Sequence, residues 1–366
     1  MADTSAIEWT DSTFNPWRGC SAVSPGCDFC YAETLAKRNP AALGEWGKDA
    51  ARVIAAEAYW QKPAKWNRDA LADGRRRRVF CASLADVFED RPDLDMPRLR
   101  LLSIIRETPA LDWLLLTKRP KSILPLLRRA REKTAAALAQ FSHDARVTGR
   151  GKMLDLVTKH RDEIGVLDAW LADWLAGVGP ANVFLGTSAE DQERAEQRLP
   201  ALLRVPAAGH FVSAEPLLGP LDLSPWLHES TCATNGRCAY CDPLDGEPKE
   251  DRLAWVIVGG ESGPHARPMH RNWAGSIRDA CTSAGVPFLF KQWGEFAPSW
   301  TVAPGDVRPD GTVFVALDGS VHALTETDRP ASGWSGMNRC GKKAAGRTLD
   351  GATHDGFPIA FSRPAR

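Results

Sequence analysis

The chain lacks a net charge, a long apolar run and an early histidine, and each gap excludes something. Its 46 lysines and arginines match 46 aspartates and glutamates. No global field therefore draws it to nucleic acid or anionic lipid, and only local patches could do so. No apolar stretch approaches the roughly 18 residues that cross a bilayer. The opening MADTSAIEWT has neither a basic start nor a small-residue cleavage site. The expectation is a cytoplasmic, globular chain with no membrane partner. No GxGxxG follows the first strand-like run, which argues against a dinucleotide fold. No internal repeat is visible, and the only low-complexity stretch is the arginine run 75–78.

What is present is a large core and a regular alternation. With 366 residues and 43% hydrophobic content, the chain can bury one big α/β barrel as readily as two domains. Six apolar runs, RVFCASLADVF (78–88), LDWLLLTKRP (111–120), NVFLGTSAED (182–191), GHFVSAEPLLG (209–219), AWVIVGGESG (254–263) and PFLFKQWGE (287–295), alternate with helical candidates. The helices are expected at 92–107, 121–140, 189–203 and 271–284. Buried parallel strands in βα units read this way, so the expected fold is α/β, a partial (β/α) barrel over residues 1–296. A helical insertion at 141–180 and a cysteine-bearing one at 228–252 interrupt it. A C-terminal extension, 297–366, carries a small hairpin around DGTVFVALDGSVHAL.

Polar residues stand at the C-terminal end of nearly every expected strand: Ser83 and Asp86, Lys118 and Arg119, Thr187 and Ser188, Ser213 and Glu215, Glu261 and Ser262, Lys291 and Gln292. That rim is where α/β barrels assemble their sites. Against it, strand ends are often polar simply because loops are solvated.

Nine cysteines are an odd number in an apparently intracellular chain, which favours metal or redox chemistry over a disulfide framework. Cys20, Cys27 and Cys30 stand at spacings of seven and three. A CxxC turn can aim two sulfurs at one centre while a third returns from nearby. Zinc in a structural site would need a fourth ligand, and no histidine precedes His143. A 4Fe–4S cluster can leave one iron without a protein ligand and bind a small molecule there.

The three-cysteine loop, the aromatic Phe29 directly before its last cysteine and the βα alternation resemble the radical S-adenosylmethionine (SAM) superfamily. Its usual loop is CxxxCxxC, and this one is CxxxxxxCxxC. The wider set of words, among them IEWTDSTFNPWRGC, LLLTKRP, SAEPLLGPLDL and GKKAAGRTLDG, resembles a phage- and bacterium-associated family of uncharacterised proteins. The superfamily resemblance implies a 4Fe–4S cluster on Cys20, Cys27 and Cys30 and SAM on the fourth iron. It also implies an electron donor such as flavodoxin or ferredoxin, and reductive cleavage of SAM to abstract hydrogen from a substrate.

By the same resemblance Phe29 would pack near the adenine. Gly259, Gly260 and Glu261 resemble the glycine-glycine-glutamate element that meets the SAM amino group; the other reading is a tight turn that uses glycine's free φ. Ser83 and Asp86 are alternative SAM contacts. Lys118 would meet the SAM carboxylate or a substrate phosphate, and Glu215 ribose hydroxyls or substrate.

A second group, Cys232, Cys238 and Cys241 with His228, reads as a zinc site or an auxiliary iron–sulfur cluster that staples the insertion. Cys81 and Cys281 read as core fillers. The arginine run is either a solvated face or a grip for phosphates, which keeps nucleic acid open as a partner. The competing function is a zinc-binding, nucleic-acid-interacting protein without catalysis.

Overall fold

A computed structural model describes residues 5, 7–144, 152–227, 252–307, 311–323 and 330–365. All six apolar runs become parallel strands of one sheet: β2 (Arg77–Cys81), β3 (Leu111–Thr117), β4 (Val183–Ser188), β5 (Gly209–Ala214), β6 (Leu253–Gly259) and β7 (Phe288–Gln292). A seventh strand, β1 (Ser12–Thr13), pairs in parallel with β2 and forms one edge. Two residues of strand gave too short a pattern to read in advance.

The order in space follows the order in sequence, from β1 to β7. Crossovers between parallel strands are right-handed in nearly every protein, so a monotone order puts all the helices on one face. The sheet then curls over its other face as a half-barrel instead of turning back as a doubly wound sheet does. Four of the helices are α1 (Tyr31–Arg38), α2 (Lys62–Ala72), α3 (Asp95–Glu107) and α4 (Ile123–Asp144). The others of comparable length are α5 (Lys152–Leu175), α6 (Gln192–Leu203) and α7 (Arg271–Ala284). The expected insertion at 141–180 is differently built. Its second half is α5, which pairs with α4, and Leu167, Leu171 and Trp174 of α5 join the main core.

Period-two alternation assigns the two faces of the sheet. Val79, Trp113, Leu115, Val183, Leu185, Val212, Val256 and Phe290 pack toward the helices. Phe80, Leu114, Phe184, Phe211, Trp255, Ile257 and Leu289 form a separate cluster inside the curl. One cross-strand row runs Leu116, Gly186, Phe211, Trp255. Gly186 is there for its missing side chain, since an added Cβ would lie 2.2 Å from the Phe211 ring.

The C-terminal segment is built onto this core. The strands β8 (Phe296–Pro298), β9 (Thr312–Val315), β10 (Val321–His322) and β11 (Ser335–Arg339) form an antiparallel sheet in the order β8-β11-β9-β10. The expected hairpin is β9 with β10. The chain then returns beneath the barrel. Trp255 donates its indole N–H to the Gly356 carbonyl at 2.8 Å, and Phe357 and Phe361 close on Trp255 and Phe184 with ring centroids 4.7–5.5 Å apart. The N-terminal end of the barrel is thus sealed by aromatic rings. Among the described residues no helix is long and apolar enough to cross a membrane.

Gly186→Ala forces Phe211 off its position, and overpacking of this kind costs about 1–3 kcal/mol. Guanidinium unfolding should show a lowered midpoint; an unchanged one would contradict the packed interior row.

Candidate functional site

The opposite end of the barrel is a cavity of about 590 Å³. Cys20, Cys27 and Cys30 all line it, together with Asp86, Lys118, Arg119, Ser188, Ser213, Glu215, Glu261, Ser262, Lys291 and Gln292 from the strand ends. The polar rim expected from the sequence is therefore one surface, facing the cysteine loop. Phe29, Ser83 and Gly260 line the same cavity. Gly259 stands behind it, next to Glu215.

The loop has little secondary structure to hold it. One 3-10 turn, Pro25–Cys27, and the bond from Cys30 N–H to the Cys27 carbonyl at 3.2 Å shape its end, after which α1 begins. Its position comes from three charged attachments, each at a strand end.

The first attachment follows β2 and β3. Arg119 donates to Asp86 at 2.8 Å, to the Ser21 carbonyl at 2.6 Å and to the Cys20 sulfur at 3.5 Å. Asp86 is almost fully taken up in doing this, accepting also from Thr117 Oγ1 and from the backbone of Phe88 and Lys118. Ser21 Oγ donates at 2.6 Å to Glu89, which Arg52 grips with two N–H groups. Burial is the largest influence on Cys20, reinforced by Asp86 and opposed by Arg119, and the free thiol is pushed up to about 12.

The second attachment follows β4. Glu190 is fully buried, pairs with Arg198 of α6 at 2.9 Å and accepts from Gly26 N–H at 3.2 Å. A Cβ on Gly26 would stand 3.1 Å from that carboxylate, so glycine lets the loop approach. Burial would raise the Glu190 carboxyl, but Arg198, Ser24 and Lys118 outweigh it and hold it below its ordinary value.

The third attachment follows β6. Glu261 accepts two bonds from the Arg267 guanidinium, at 2.9 and 2.7 Å. The same guanidinium reaches the Pro25 carbonyl at 2.8 Å and Asp28 at 3.2 Å, and lies 4.9 Å from the Phe29 ring centroid. Phe29 therefore lines the cavity with Arg267 against its ring.

The two glycines before Glu261 answer to close approach. Neither has a positive φ, which replaces the free-φ turn considered above. A Cβ on Gly259 would press on Glu215 at 3.2 Å, and one on Gly260 would lie 1.9 Å from the Trp293 carbonyl oxygen. Glu215 itself pairs with Lys291 at 2.7 Å. Ser83 is bonded through its hydroxyl to Asn15 at 3.1 Å. Lys118 is half-buried.

Cys81 and Cys281 are fully buried, as core fillers should be. His228, Cys232, Cys238 and Cys241 lie outside the described residues. Among the described residues, no three His, Cys, Asp or Glu side chains stand together as a ready-made metal group.

The arginine run lies at the sealed end of the barrel, and three of its four members are engaged by the protein. Arg76 bonds Asp112 at 2.7 Å, Arg77 lies over Trp66, and Arg78 forks onto Asp11 at 2.9 and 3.0 Å while stacking on Phe357. Burial would raise the Asp11 carboxyl, yet the Arg78 bonds and the charges of Arg78 and Arg75 hold it below its usual range. Only Arg75 is largely exposed.

Sequence reasoning passed over Glu190, Arg198, Glu89, Arg52 and Arg267. Glu190 stands in the expected rim, one residue beyond Ser188 and Ala189, and a carboxylate there was a signal. Arg267 had none, since its loop partner Asp28 is 239 residues away.

Fold and site together define an open α/β barrel whose mouth is roofed by a three-cysteine loop. The family described as protein of unknown function (DUF5131) matches residues 4–358, and the chain belongs to it. No curated protein and no solved structure matches the chain.

Arg198→Met leaves Glu190 buried without its partner, which typically costs about 3–5 kcal/mol. Urea unfolding should show that loss, along with faster proteolysis at residues 20–30. Stability within about 0.5 kcal/mol of the parent protein would contradict the attachment.

Proposed function

We propose that the chain is a radical SAM-type enzyme in which Cys20, Cys27 and Cys30 hold a 4Fe–4S cluster. The observation that carries this reading is that all three thiols line one cavity with the polar ends of the barrel strands.

In ligand type the donor set suits such a group. Three soft thiols, two of them joined by a single tight turn, suit iron–sulfur ligation. The wall facing them offers Glu215, Glu261 and Lys291 to the amino, carboxylate and hydroxyl groups of SAM. A cavity of about 590 Å³ is within the usual range for a small-ligand site. When bound, cluster and SAM supply one-electron reductive cleavage and a hydrogen-abstracting species, which no side chain of this protein can supply.

The chain's own part is to position, to hold charge and to exclude water. Arg119 fixes Cys20 and Ser21 against the ends of β2 and β3. Arg267 keeps Asp28 and the carbonyl of Pro25 beside Glu261. Phe80, Trp9 and Leu116 give the cavity an apolar floor, and a dry floor strengthens every polar contact above it. Glu215 and Lys291 present a neutral, hydrogen-bonding pair at the ends of β5 and β7. An external one-electron donor such as flavodoxin or ferredoxin is implied.

The test is anaerobic, iron-replete purification with iron, sulfide and zinc analysis, followed by dithionite and SAM. The expected result is about four irons per chain and 5′-deoxyadenosine, both abolished by Cys27→Ala or Cys30→Ala. Stoichiometric zinc alone, or variants that keep iron and SAM cleavage, would overturn the reading.

A further inference from the structure

Most charges on the cavity lining are paired, and those left over are two lysines and one glutamate. Asp86 has Arg119 at 2.8 Å, Glu215 has Lys291 at 2.7 Å, Glu261 has Arg267 at 2.7 Å and Glu33 has Lys37 at 2.9 Å. Glu8 also borders the cavity, exposed to solvent. Two cations on the lining, Lys118 and Lys342, have no carboxylate within 4 Å among the described residues. Lys118 is the informative one. It stands directly after β3, half-buried, its backbone N–H fixed to Asp86 at 3.1 Å. Its charge acts on Glu190, which is already paired with Arg198, from beyond ion-pair distance, so an anionic ligand can still be added beside it.

The other polar groups of the lining do not need an anion. Arg119 is consumed by Asp86 and the cysteine loop, and Lys291 by Glu215. Two lysines on one lining, Lys118 half-buried and Lys342 exposed, suit a phosphate, because lysine acts as a point charge and a phosphate ester carries up to two negative charges. Exposed ring surface lies at the same mouth, on Tyr31, and a planar ring offers a stacking surface to a base.

We propose that Lys118, with Lys342, is a phosphate subsite, and that the substrate taken by this cavity is a nucleotide, either free or within a single strand. The inference rests on the enzymatic reading above for what happens to the substrate, but binding itself does not depend on the cluster.

The test is calorimetric titration of the anaerobically purified protein with thymidine, thymidine 5′-monophosphate and a short single-stranded oligothymidylate, with iron measured on the same sample. Thymidine should bind at least tenfold more weakly than one of the phosphate esters. The ester that binds best distinguishes a free nucleotide from a strand. Lys118→Met should lose at least tenfold in that affinity, Lys118→Arg should keep most of it, and SAM affinity of Lys118→Met, read by equilibrium dialysis, should stay within twofold.

Phosphate esters that bind no better than thymidine, or a Lys118→Met protein that binds them as the parent does, would overturn the subsite. A Lys118→Met protein that loses SAM instead would overturn it too, and would give the lysine to SAM. Phosphate binding by an iron-free protein would uphold the subsite while contradicting the radical reading, so the two failures are separate.

Discussion

A loop with one short turn of its own has to be held still above an open barrel, and ion pairs rooted at strand ends do it. Asp86 with Arg119, Glu190 with Arg198 and Glu261 with Arg267 stand after β2 and β3, after β4 and after β6. Each also bonds the backbone or a polar side chain of residues 21–28. The carboxylates are nearly buried, so their attraction to arginine is little screened, and losing a partner is penalised more than having the pair is rewarded. What these pairs contribute is a fixed register between the cysteines and the barrel. Much of the rim read as candidate ligand-binding polarity is therefore structural support for the loop.

The two ends of the barrel divide the work. Toward the starts of the strands the interior is filled by Phe184, Phe211 and Trp255, and the returning chain caps it with Phe357 and Phe361. At the strand ends the interior opens and the side chains turn polar. One closed end stiffens the sheet, and the other can be shaped by loops without loss of the core. The arginine run belongs to the closed end. Three of its charges are engaged by Asp11, Asp112 and aromatic faces.

Much of this was legible in the sequence, and for definite reasons. Continuous apolar runs such as LDWLLL mark strands buried on both faces, and all six took their places in the sheet. Helix 271–284 was readable because its apolar positions recur at helical spacing. The cysteines were legible as a group through the CxxC turn, and the strand-end rim through its repetition. The three attachments were not, because they join residues separated by tens to hundreds of positions, and periodicity is a local signal. Nor was the function of Gly259 and Gly260, since a glycine required by a distant carbonyl looks the same in sequence as one required by a turn. The pairing of α4 with α5 was half-read, the second helix having been separated from the first.

The account stands or falls on whether the three-cysteine loop presents a cluster with an iron open to SAM. Electron paramagnetic resonance of the anaerobically purified, dithionite-reduced protein, recorded with and without SAM, addresses this without a known substrate. The account predicts one reduced 4Fe–4S signal whose g values change when SAM is added, and the loss of that signal in Cys30→Ala. A protein with no such signal under iron-replete conditions, or a signal indifferent to SAM, would contradict it.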